Sequence, residues 1–520
     1  MSNAHYEIFN LLPDKTCYYK VELTIDDTPT EIINSSFTTS GQLRQIKGEG
    51  SGNMRDLGGW ATASGNPIKY GLIYRGAEWN GEYQLTPEGI AALRQVGIKA
   101  ELNLRIDWEA AYITQSPLGD DVTYLRITNE DYYESGMQNR KDLYLQDLQF
   151  VFDCVKNDKP VYFHCHIRAD RTGTLAIILE GLLGVSESDM YKDYELTTFS
   201  YYETHRYKEN VAGIMEYINT LAGETLIDKF YTYCHDELGL SAKEIADFRQ
   251  KMLGTVYPSD IKNMLSEATT SLDLTPYTFE AEALTANMPT GTNLLVTVAP
   301  ETGITGQNII NDGVCESLVL TDGVDFGTPN AFTATQASFT TNVNTYKTLV
   351  LPFETAVPEG FTASNATSVT GAFINLEETN TICAGSPVLV QGDGAFELTA
   401  TNVAVAATEG ETLTNGLLCG TYQSVPAPVA SYVLQKQNDV IGFYLVAEDV
   451  QPTVGAFRAW LDVPQTGAKA FFFNDDATGI NAIDNGELTI DNAAIYNLAG
   501  QRLMKAQKGV NIVNGKKILK

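Results

Sequence analysis

The residue pattern changes near residue 255, and this change constrains the fold more than any other feature. Before it, residues 49–254 alternate short apolar segments with segments whose apolar residues recur at i, i+3 and i+4. Alternating strands and amphipathic helices predict a largely parallel sheet with flanking helices. The strand-like segments are GLIYRG, KAELNLRI, VTYLRIT and PVYFHC. The helix-like segments are TPEGIAALRQVG, RKDLYLQDLQFVFDCVKN, RTGTLAIILEGLLG and SAKEIADFRQKML.

Residues 284–480 lack helical spacing. They are rich in Thr, Val, Ala, Gly and Asn, and Gly or Pro separates short apolar runs such as NLLVTV, YKTLVLPF and GFYLVA. This pattern predicts short strands in one or more all-β sandwich domains. Residues 255–283, between the two patterns, predict a short helix followed by a linker. We therefore expect a multidomain chain, since one core rarely serves more than roughly 250–300 residues.

Residues 1–48 predict a further β segment at the amino end. Alternating apolar residues in YEIFNLLP, TCYYKVELTI and EIINSSFTTSG indicate about three strands. The phrase LLPDKTCYYKVELTI resembles the later strands of a fibronectin type III domain, a sandwich that needs roughly seven strands. The segment is either a partial fibronectin type III-like domain whose other strands lie outside this chain, or a small β cap on the next domain.

The carboxyl-terminal segment 485–520 is basic, although the chain as a whole is acidic. From residue 501 onward it contains Lys and Arg but no Asp or Glu. A solvated β-hairpin face is one interpretation. YNLAGQR and KGVNIVNGKK also resemble the C-terminal β motif of secreted and surface proteins of Bacteroidetes, including their sorting tails. That resemblance implies a secreted or cell-surface protein whose native amino-terminal signal is missing, with surface or glycan contacts through its β domains.

Charge and cysteine spacing exclude several classes of function. A net charge of −30 argues against general nucleic-acid binding, which requires basic surface. No apolar run approaches the roughly 18 residues of a transmembrane segment. The cysteines have no metal-binding spacing. An acidic chain also repels anionic substrates at long range, so a site for an anion must be built locally.

The loop HCHIRADRTG, residues 164–173, has the residue types that such a local anion site needs. Cys165 precedes a predicted helix, whose free N–H groups and dipole favour the reactive thiolate and bind phosphoryl oxygens. Arg171 can bind two of those oxygens with its planar guanidinium. The Thr172 hydroxyl can assist departure of the sulfur, and Gly173 allows close packing. The predicted reaction is phosphoryl transfer to Cys165 and then to water. A structural or redox cysteine is the alternative.

This loop resembles HCxxGxDRTG, the loop of bacterial tyrosine phosphatases that include dual-specificity and phosphoinositide-active members. NMRDLGGW, GLIYRGAEWNG, LNLRIDWE and LSAKEIADFRQKML resemble the same family, so the similarity covers residues 49–254. It implies an α/β cysteine-phosphatase domain, with a central parallel sheet between helices. It also implies a mechanism that needs no metal and no other cofactor.

The resemblance implies a role for each matching residue. Cys165 would be the nucleophile, Arg171 the phosphate clamp and Asp170 the acid of the loop. The remaining loop residues would surround the phosphate: His166, Ile167, Arg168, Ala169, Thr172 and Gly173. Support for the loop would come from His164, Arg55 and Asp56.

Two departures from the family pattern concern this loop. Arg168 occupies the position of a family glycine, which allows unusual dihedrals close to the phosphate. Its side chain either points outward and adds positive charge, or strains the loop so that turnover is slow or absent. Ala169 stands where some members have a lysine, which removes one cation near the substrate.

The general acid has more than one candidate. Proton delivery to the leaving oxygen requires a carboxylic acid within hydrogen-bond reach. Asp170 is adjacent to the loop, while Glu130 and Asp131 lie in TYLRITNEDYYES, a segment that could fold over the site as a lid. An exposed acidic turn without a catalytic role is the alternative for Glu130 and Asp131.

The sequence therefore predicts a phosphoric monoester hydrolase of the protein tyrosine phosphatase type. Phosphotyrosine is the expected substrate, with phosphoserine, phosphothreonine or phosphoinositides as further ones. A phosphatase of small soluble esters such as inositol phosphates is the second hypothesis. The third is a surface protein whose phosphatase-like domain only binds anions, because Arg168 impairs its catalysis.

Overall fold

The computed structural model describes most of the chain. The described ranges are 7–25, 28–128, 130–167, 169–200, 205–409, 413–464, 467–473, 480–481, 495–497, 501–503, 507–513 and 516–519. The chain divides into two compact units, unit 1 with residues 1–268 and 274–289, and unit 2 with residues 269–273 and 290–520. The finer domain boundaries predicted from the sequence stay predictions.

Unit 1 contains both strands and helices. Its described strands are β1 (Thr16–Ile25), β2 (Thr28–Thr38), β3 (Gln45–Gly48), β4 (Ser51–Asp56), β5 (Ile73–Gly76), β6 (Ala100–Asn103), β7 (Thr123–Arg126) and β8 (Val161–His164). Its described helices are α1 (Pro87–Val96), α2 (Asp107–Ala110), α3 (Tyr133–Asn139), α4 (Lys141–Lys156), α5 (Asp170–Leu182), α6 (Glu187–Glu195), α7 (Ala212–Ile218), α8 (Leu226–Thr232), α9 (Ala242–Leu253), α10 (Pro258–Glu267) and α11 (Ala281–Thr285). Shorter helical turns occur at Leu196–Phe199, Lys208–Asn210 and Tyr233–Glu237.

Strands β3 to β8 form one sheet in the order β3-β4-β5-β8-β6-β7. β5, β8, β6 and β7 run parallel, whereas β3 and β4 extend one edge in antiparallel fashion. Every residue of β5, β6 and β8 is buried, as expected for parallel strands covered by helices on both faces. The carboxyl ends of these strands share one edge, so the segments that follow β5, β6 and β8 are neighbours there.

Helix α5 lies at the centre of unit 1. All of its residues from Thr172 to Leu182 are buried, because it contacts β5, β8, α6 and α8. Helices α4 and α9 pack through Phe152 and Phe248, whose ring centroids are 4.1 Å apart. The four predicted helices are confirmed as α1, α4, α5 and α9.

The amino-terminal segment forms a hairpin of β1 and β2, not the three strands expected. Residues 7–15 are not a strand, because Asn10 and Asp14 have φ values of 64° and 49°, which interrupt an extended chain. Residues 45–48 form β3 and join the main sheet. The hairpin leaves apolar side chains in solvent, with Tyr18 83% exposed.

The segment 255–283 is mostly packed structure and not a simple linker. Its predicted helix is confirmed as α10, whose apolar face is buried. Asp260 of α10 forms a buried ion pair with Arg249 of α9, which attaches this helix to the sheet-bearing part of unit 1. Residues 271–273 form a strand of unit 2.

Unit 2 is built mainly of strands in its described residues. They are β9 (Ser271–Asp273), β10 (Leu295–Val298), β11 (Ile309–Asn311), β12 (Val314–Thr321), β13 (Phe332–Leu349), β14 (Thr355–Ala356), β15 (Thr362–Thr370), β16 (Phe373–Thr379), β17 (Thr381–Ile382), β18 (Val388–Val405), β19 (Leu413–Asn415), β20 (Leu418–Thr421), β21 (Val425–Pro426), β22 (Tyr432–Gln437), β23 (Val440–Leu445), β24 (Thr453–Val454), β25 (Arg458–Leu461), β26 (Ala470–Phe473), β27 (Ile480–Asn481), β28 (Ile495–Asn497), β29 (Arg502–Leu503), β30 (Val510–Val513) and β31 (Lys516–Leu519). One helical turn occurs at Pro300–Thr302.

Most strands of unit 2 join one long ladder, in the order β19-β20-β25-β22-β23-β26-β16-β15-β18-β13-β12-β11-β10-β9. The carboxyl-terminal strands form a separate sheet, in the order β27-β31-β30-β28-β29. The predicted β composition is confirmed, but β13 and β18 have 18 residues each and are not short strands. Gly392 and Gly394 lie inside β18 without ending it. Among the described helices, none has the length and apolar character needed to cross a membrane.

Candidate active site

Cys165 lies at the carboxyl edge of the sheet, between β8 and α5. β8 ends at His164 and α5 begins at Asp170, so the loop spans residues 165–169. Arg168 lies outside the described residues. Cys165 is 2% exposed, and it adjoins a helix end whose first N–H groups have no intrahelical partner. The sheet therefore places the thiol beside a positive helix end.

The loop carbonyls bond to neighbouring segments. The N–H of Glu78 donates to the carbonyl of His166 at 2.9 Å, and the side-chain amide of Asn53 donates to the carbonyl of Ile167 at 3.0 Å. In a trans peptide the N–H points opposite to the C=O of the same unit. The N–H of Ile167 therefore points away from Glu78 and is not used in that contact.

Arg171 is held by Glu109, which belongs to α2. Its Nη1 and Nη2 atoms donate to the two carboxylate oxygens of Glu109 at 2.6 and 3.0 Å, and Nη1 also donates to the Leu104 carbonyl at 3.1 Å. Burial alone would lower the pKa of Arg171, but the bonds to Glu109 and the charge of Cys165 raise it. The guanidinium is therefore charged, oriented and close enough to Cys165 to interact with it.

Sequence reasoning missed Glu109, although this residue lies inside the quoted segment LNLRIDWE. Burial would raise the pKa of Glu109, but Arg171 and the N–H of Ile106 lower it below its usual value. A carboxylate directly after the carboxyl end of β6 could have been recognised, because β6 pairs with β8. Acids at that end of a neighbouring parallel strand are within reach of the loop.

His164 is fixed by two oxygen atoms and is fully buried. Its Nε2 lies 3.0 Å from Oε1 of Glu101 in β6, and its Nδ1 lies 3.0 Å from the Cys165 carbonyl. The imidazole cannot rotate without losing both contacts, so it ties the loop to β6. Glu101 was not anticipated; an acid within an otherwise apolar strand was the available signal.

The side chain of His166 faces acids of the segment after β5. Its Nδ1 lies 3.2 Å from Glu78 and its Nε2 lies 3.5 Å from Glu82. The bond to Glu78 raises the pKa of His166, although partial burial opposes this. Burial would raise the pKa of Glu78, but bonds from His166, Tyr83 and Arg105 lower it to about 2. His166 was expected to bind phosphate; its imidazole is occupied by carboxylates, which leaves its backbone for that role.

Arg55 and Asp56 form contacts with elements other than the loop. The Nε of Arg55 donates to Asp193 of α6 at 2.5 Å, and Arg75 of β5 also donates to Asp193. Asp56 accepts from the N–H of Gly71 at 2.8 Å. Because β5 lies between β4 and β8, these side chains reach α6 and the turn before β5. The support of the loop that the sequence led us to expect from these residues stays a prediction.

Asp170 begins α5, immediately before Arg171. One of its carboxylate oxygens, Oδ1, accepts from the hydroxyl of Tyr133 and from Nε of Arg206, the latter at 3.2 Å. Its other oxygen, Oδ2, lies 3.4 Å from Nη2 of Arg206. This candidate acid directly precedes Arg171, the residue expected to bind phosphate.

The other candidate acids have different surroundings. Asp131 accepts from Nε of Arg140 at 2.7 Å, and its side chain is 38% exposed. Glu130 is exposed. A catalytic role for Glu130 or Asp131 and the alternative of an acidic turn without one both stay predictions.

The first turn of α5 keeps hydrogen-bonding groups available. Ala169 is the N-cap residue and has no side-chain bond to the N–H groups of the helix. Thr172 is buried, and its Oγ1 has no hydrogen-bond partner among the described residues. Gly173 packs on the ring of Tyr194, since a Cβ there would lie 2.9 Å from it. The first turn of α5 therefore holds one buried hydroxyl, at Thr172, that is unpartnered among the described residues.

Known proteins are similar to the part of the chain that contains this loop. Residues 46–254 match the sequence profile described as the tyrosine phosphatase family. These residues are therefore similar to tyrosine phosphatases, and we call them the tyrosine phosphatase-like domain. It coincides closely with residues 49–254, where the sequence motifs predicted that resemblance.

A related protein from Cupriavidus necator, named "Putative tyrosine-protein phosphatase H16_A0669", is 25% identical over 166 residues. The alignment covers 27% of this chain and 59% of the relative. The chain therefore spans about three-fifths of the length of that relative.

Three solved structures are similar to part of this chain. The core catalytic domain of the PP-IP phosphatase SIW14 from S. cerevisiae, in complex with citrate, is 15% identical and covers 33% of this chain and 88% of that one, with a TM-score of 0.21. P. aeruginosa TpbA is 16% identical, with 33% and 96% covered and a TM-score of 0.23. A variant of TpbA in complex with phosphotyrosine is 17% identical, with 34% and 96% covered and a TM-score of 0.23.

Proposed function

We propose that the tyrosine phosphatase-like domain removes phosphate from phosphotyrosine in proteins through a phosphocysteine at Cys165. The observation that carries the proposal is the pair of Arg171 with Glu109, held beside Cys165 at the start of α5. Both N–H groups of Nη1 and one N–H of Nη2 donate to Glu109 and Leu104. The Nε–H and the second N–H of Nη2 remain, and together they form a two-pronged donor. Such a fork binds two phosphoryl oxygens without rearrangement.

In the first step the thiolate of Cys165 attacks phosphorus. The S–P bond forms while the bond between phosphorus and the tyrosyl oxygen breaks. Arg171 and the loop N–H groups hold the equatorial oxygens, where negative charge must be stabilised. Asp170 donates its proton to the leaving oxygen, so that tyrosine departs as a neutral phenol.

In the second step a water molecule attacks phosphorus and the S–P bond breaks. The carboxylate of Asp170 accepts a proton from this water, which restores the acid for the next cycle. The Thr172 hydroxyl, unpartnered among the described residues, donates to the departing sulfur. Inorganic phosphate leaves and the thiolate of Cys165 is regenerated.

The test is hydrolysis of p-nitrophenyl phosphate and of a phosphotyrosine peptide by wild type and by Cys165→Ser. We expect the variant to lose at least about 10⁴-fold in kcat/KM, since the nucleophile is removed. Vanadate should inhibit wild type. Equal activity of the two proteins would contradict cysteine catalysis. Inactivity of both would favour the anion-binding hypothesis, and recovery of activity by Arg168→Gly would then show that Arg168 has impaired the loop.

Small polyanionic esters are the second candidate substrates. The acids Glu78 and Glu82 flank His166 at the edge of the loop, so an additional phosphate group on this side would be repelled. We therefore expect a higher kcat/KM for a phosphotyrosine peptide than for inositol hexakisphosphate or a phosphoinositide. The reverse order would replace the proposed substrate class while retaining the mechanism.

The location of the protein is a separate proposal. The basic segment 485–520 and the fibronectin-like phrase near the amino end support export, with surface or glycan contacts through unit 2. Fractionation of cells that produce the native protein, followed by immunodetection, tests it. Recovery only with the cytoplasm would contradict export and would leave the proposed enzyme activity unaffected.

A further inference from the structure

The carboxylate of Asp170 is held by two segments that are distant in the sequence. Tyr133 begins α3, and its hydroxyl donates to Oδ1. Arg206 precedes the turn at Lys208–Asn210, and its Nε and Nη2 lie 3.2 and 3.4 Å from Oδ1 and Oδ2. Neither residue was assigned a role from the sequence. Both bind the group that must deliver the proton.

The backbone of Arg206 is fixed independently of its side chain. The N–H of Arg206 donates to Oγ1 of Thr198 at 2.9 Å, and the same hydroxyl donates to the Arg206 carbonyl at 2.9 Å. Burial would lower the pKa of Arg206, but the charge of Asp170 raises it. The guanidinium is therefore a permanent cation that is anchored close to the start of α5.

Tyr133 has an unfavourable backbone conformation. Its φ is 58°, a value that is a genuine outlier for a bulky residue. Its N–H donates to Oγ1 of Thr174 at 2.9 Å, and Thr174 in turn bonds the Asp170 carbonyl. Its hydroxyl also contacts that of Tyr194 at 2.6 Å. Strain of this kind persists where the surroundings enforce it, often at functional sites, and here it aims the Tyr133 hydroxyl at Asp170.

The two oxygens of Asp170 are not equivalent in these contacts. Oδ1 accepts from the Tyr133 hydroxyl and makes the shorter of the two contacts with Arg206. Among the described residues, Oδ2 makes only the 3.4 Å contact with Nη2 of Arg206. A contact of that length is well beyond the roughly 2.7–2.9 Å of a good charge-assisted bond. Oδ2 is therefore the oxygen that can carry a proton and turn it toward a substrate.

We propose that Arg206 and Tyr133 are positioning residues that orient Asp170 so that Oδ2 delivers the proton to the leaving oxygen. The inference rests on the proposed phosphatase function. In the transfer, the Oδ2–H bond breaks as the ester P–O bond breaks, and the proton passes to the leaving oxygen. Arg171, whose described bonds go to Glu109 and Leu104, binds the phosphate. Loss of Arg206 should therefore affect proton delivery and not phosphate binding.

The test compares a poor leaving group with a good one, because only the poor one needs a general acid. Phenyl phosphate and 2,4-dinitrophenyl phosphate are hydrolysed by wild type, Asp170→Asn, Arg206→Gln and Tyr133→Phe. We expect Asp170→Asn to lower kcat on phenyl phosphate by about 10²–10⁴-fold. Arg206→Gln should lower it by about 10–100-fold with KM within about twofold, and Tyr133→Phe by less. On the dinitrophenyl ester the kcat/KM of each variant, which reports formation of the phosphocysteine and not its hydrolysis, should remain within about threefold of wild type.

Two further variants serve as controls. Arg206→Lys keeps the positive charge and should recover most of the phenyl phosphate rate. Arg94→Gln removes an arginine–carboxylate pair far along the chain, with Asp121, and should leave both rates unchanged. Equal losses of kcat/KM on both esters in Arg206→Gln would indicate a merely structural role and overturn the inference, as would no loss on either. If wild type hydrolyses neither ester, the proposed function itself fails.

Discussion

Buried ionic groups lie at two places along α5, and they differ in whether a ligand can reach them. At the amino end, the side chains of Arg171 and Glu109 are 14% and 9% exposed. Behind the helix, Arg55 and Arg75 both bind Asp193, and these three side chains are between 0% and 4% exposed. We call the first the front pair and the second the rear cluster. Ion pairs of similar chemistry can therefore serve the proposed catalysis in the front pair and stability in the rear cluster.

The rear cluster is strongly affected by its burial. Burial lowers the pKa of Arg55 to about 10, although the charge of Asp193 opposes this. Burial also raises the pKa of Glu180, which lies in the same cluster, well above its usual value. A buried charge that loses its partner is costly, because no water replaces the lost bonds. The rear cluster should consequently govern folding more than turnover.

The largest expected effect is on stability, from Asp193→Ala in the rear cluster. The change leaves Arg55 and Arg75 buried without their common carboxylate, which should cost about 3–5 kcal/mol of the free energy of unfolding. Urea denaturation measures it. Asp189→Ala on the same helix removes an exposed pair with Lys192 and should cost less than about 1 kcal/mol. Equal midpoints for both variants would contradict the role given to the rear cluster.

Arg171→Lys in the front pair should act on turnover alone. Lysine keeps the charge opposite Glu109 but lacks the planar fork that binds two phosphoryl oxygens. We expect kcat/KM for p-nitrophenyl phosphate to fall by about 10²–10³-fold. The free energy of unfolding should change by less than about 1 kcal/mol. If Arg171→Lys unfolded readily but retained its turnover, the front pair would serve stability and not catalysis.

Glu109→Gln should have a smaller effect on the same reaction. The amide keeps one acceptor for Arg171 but loses the second oxygen of the bidentate pair. We expect kcat/KM to fall by about 10–30-fold, since Arg171 is oriented less firmly. A double-mutant cycle with Arg171→Lys should be strongly non-additive. Additive losses would mean that Glu109 acts independently of Arg171.

The smallest expected effect is a pH dependence of stability from His166. Its pKa is raised in the folded protein by the bond to Glu78, so its contribution is complete below its unfolded pKa and disappears as pH rises through the folded pKa. His166→Asn should therefore destabilise the protein more at pH 5.5 than at pH 9. The difference should be below about 1 kcal/mol, because the imidazole is partly exposed. Urea denaturation at both pH values measures it, and the opposite order would contradict the assignment.

The comparison also separates what could be predicted about the site from what could not. Cys165, Asp170, Arg171 and Thr172 belong to one continuous strand–loop–helix segment, so their proximity follows from local structure. Their partners lie far away in the sequence: Glu109 is 62 residues from Arg171, Glu101 is 63 from His164 and Arg206 is 36 from Asp170. The spacing of apolar residues indicates the type of a single element. It does not indicate which acidic side chain will contact which basic side chain from a distant segment.

The same limit explains the errors in the fold. The helices α1, α4, α5 and α9 were predicted correctly, because apolar spacing over ten or more residues distinguishes a helix from a strand. The prediction of a third amino-terminal strand was wrong, because Asn10 and Asp14 adopt left-handed backbone conformations that interrupt an apparently alternating segment. The length of β13 was also underestimated, since its partner β18 supports it along nearly its whole length.

The sequence by itself determined where the loop 165–169 lies, that α1, α4, α5 and α9 are helices, and that an anion site must overcome an acidic chain. Only the tertiary structure decided which carboxylates hold Arg171 and His164 and which cation holds Asp170. The physical reason is the strand order: β8 lies between β5 and β6, so the segments that follow these strands meet around Cys165. Local pattern determines each element, whereas the pairing of strands determines which charges become neighbours.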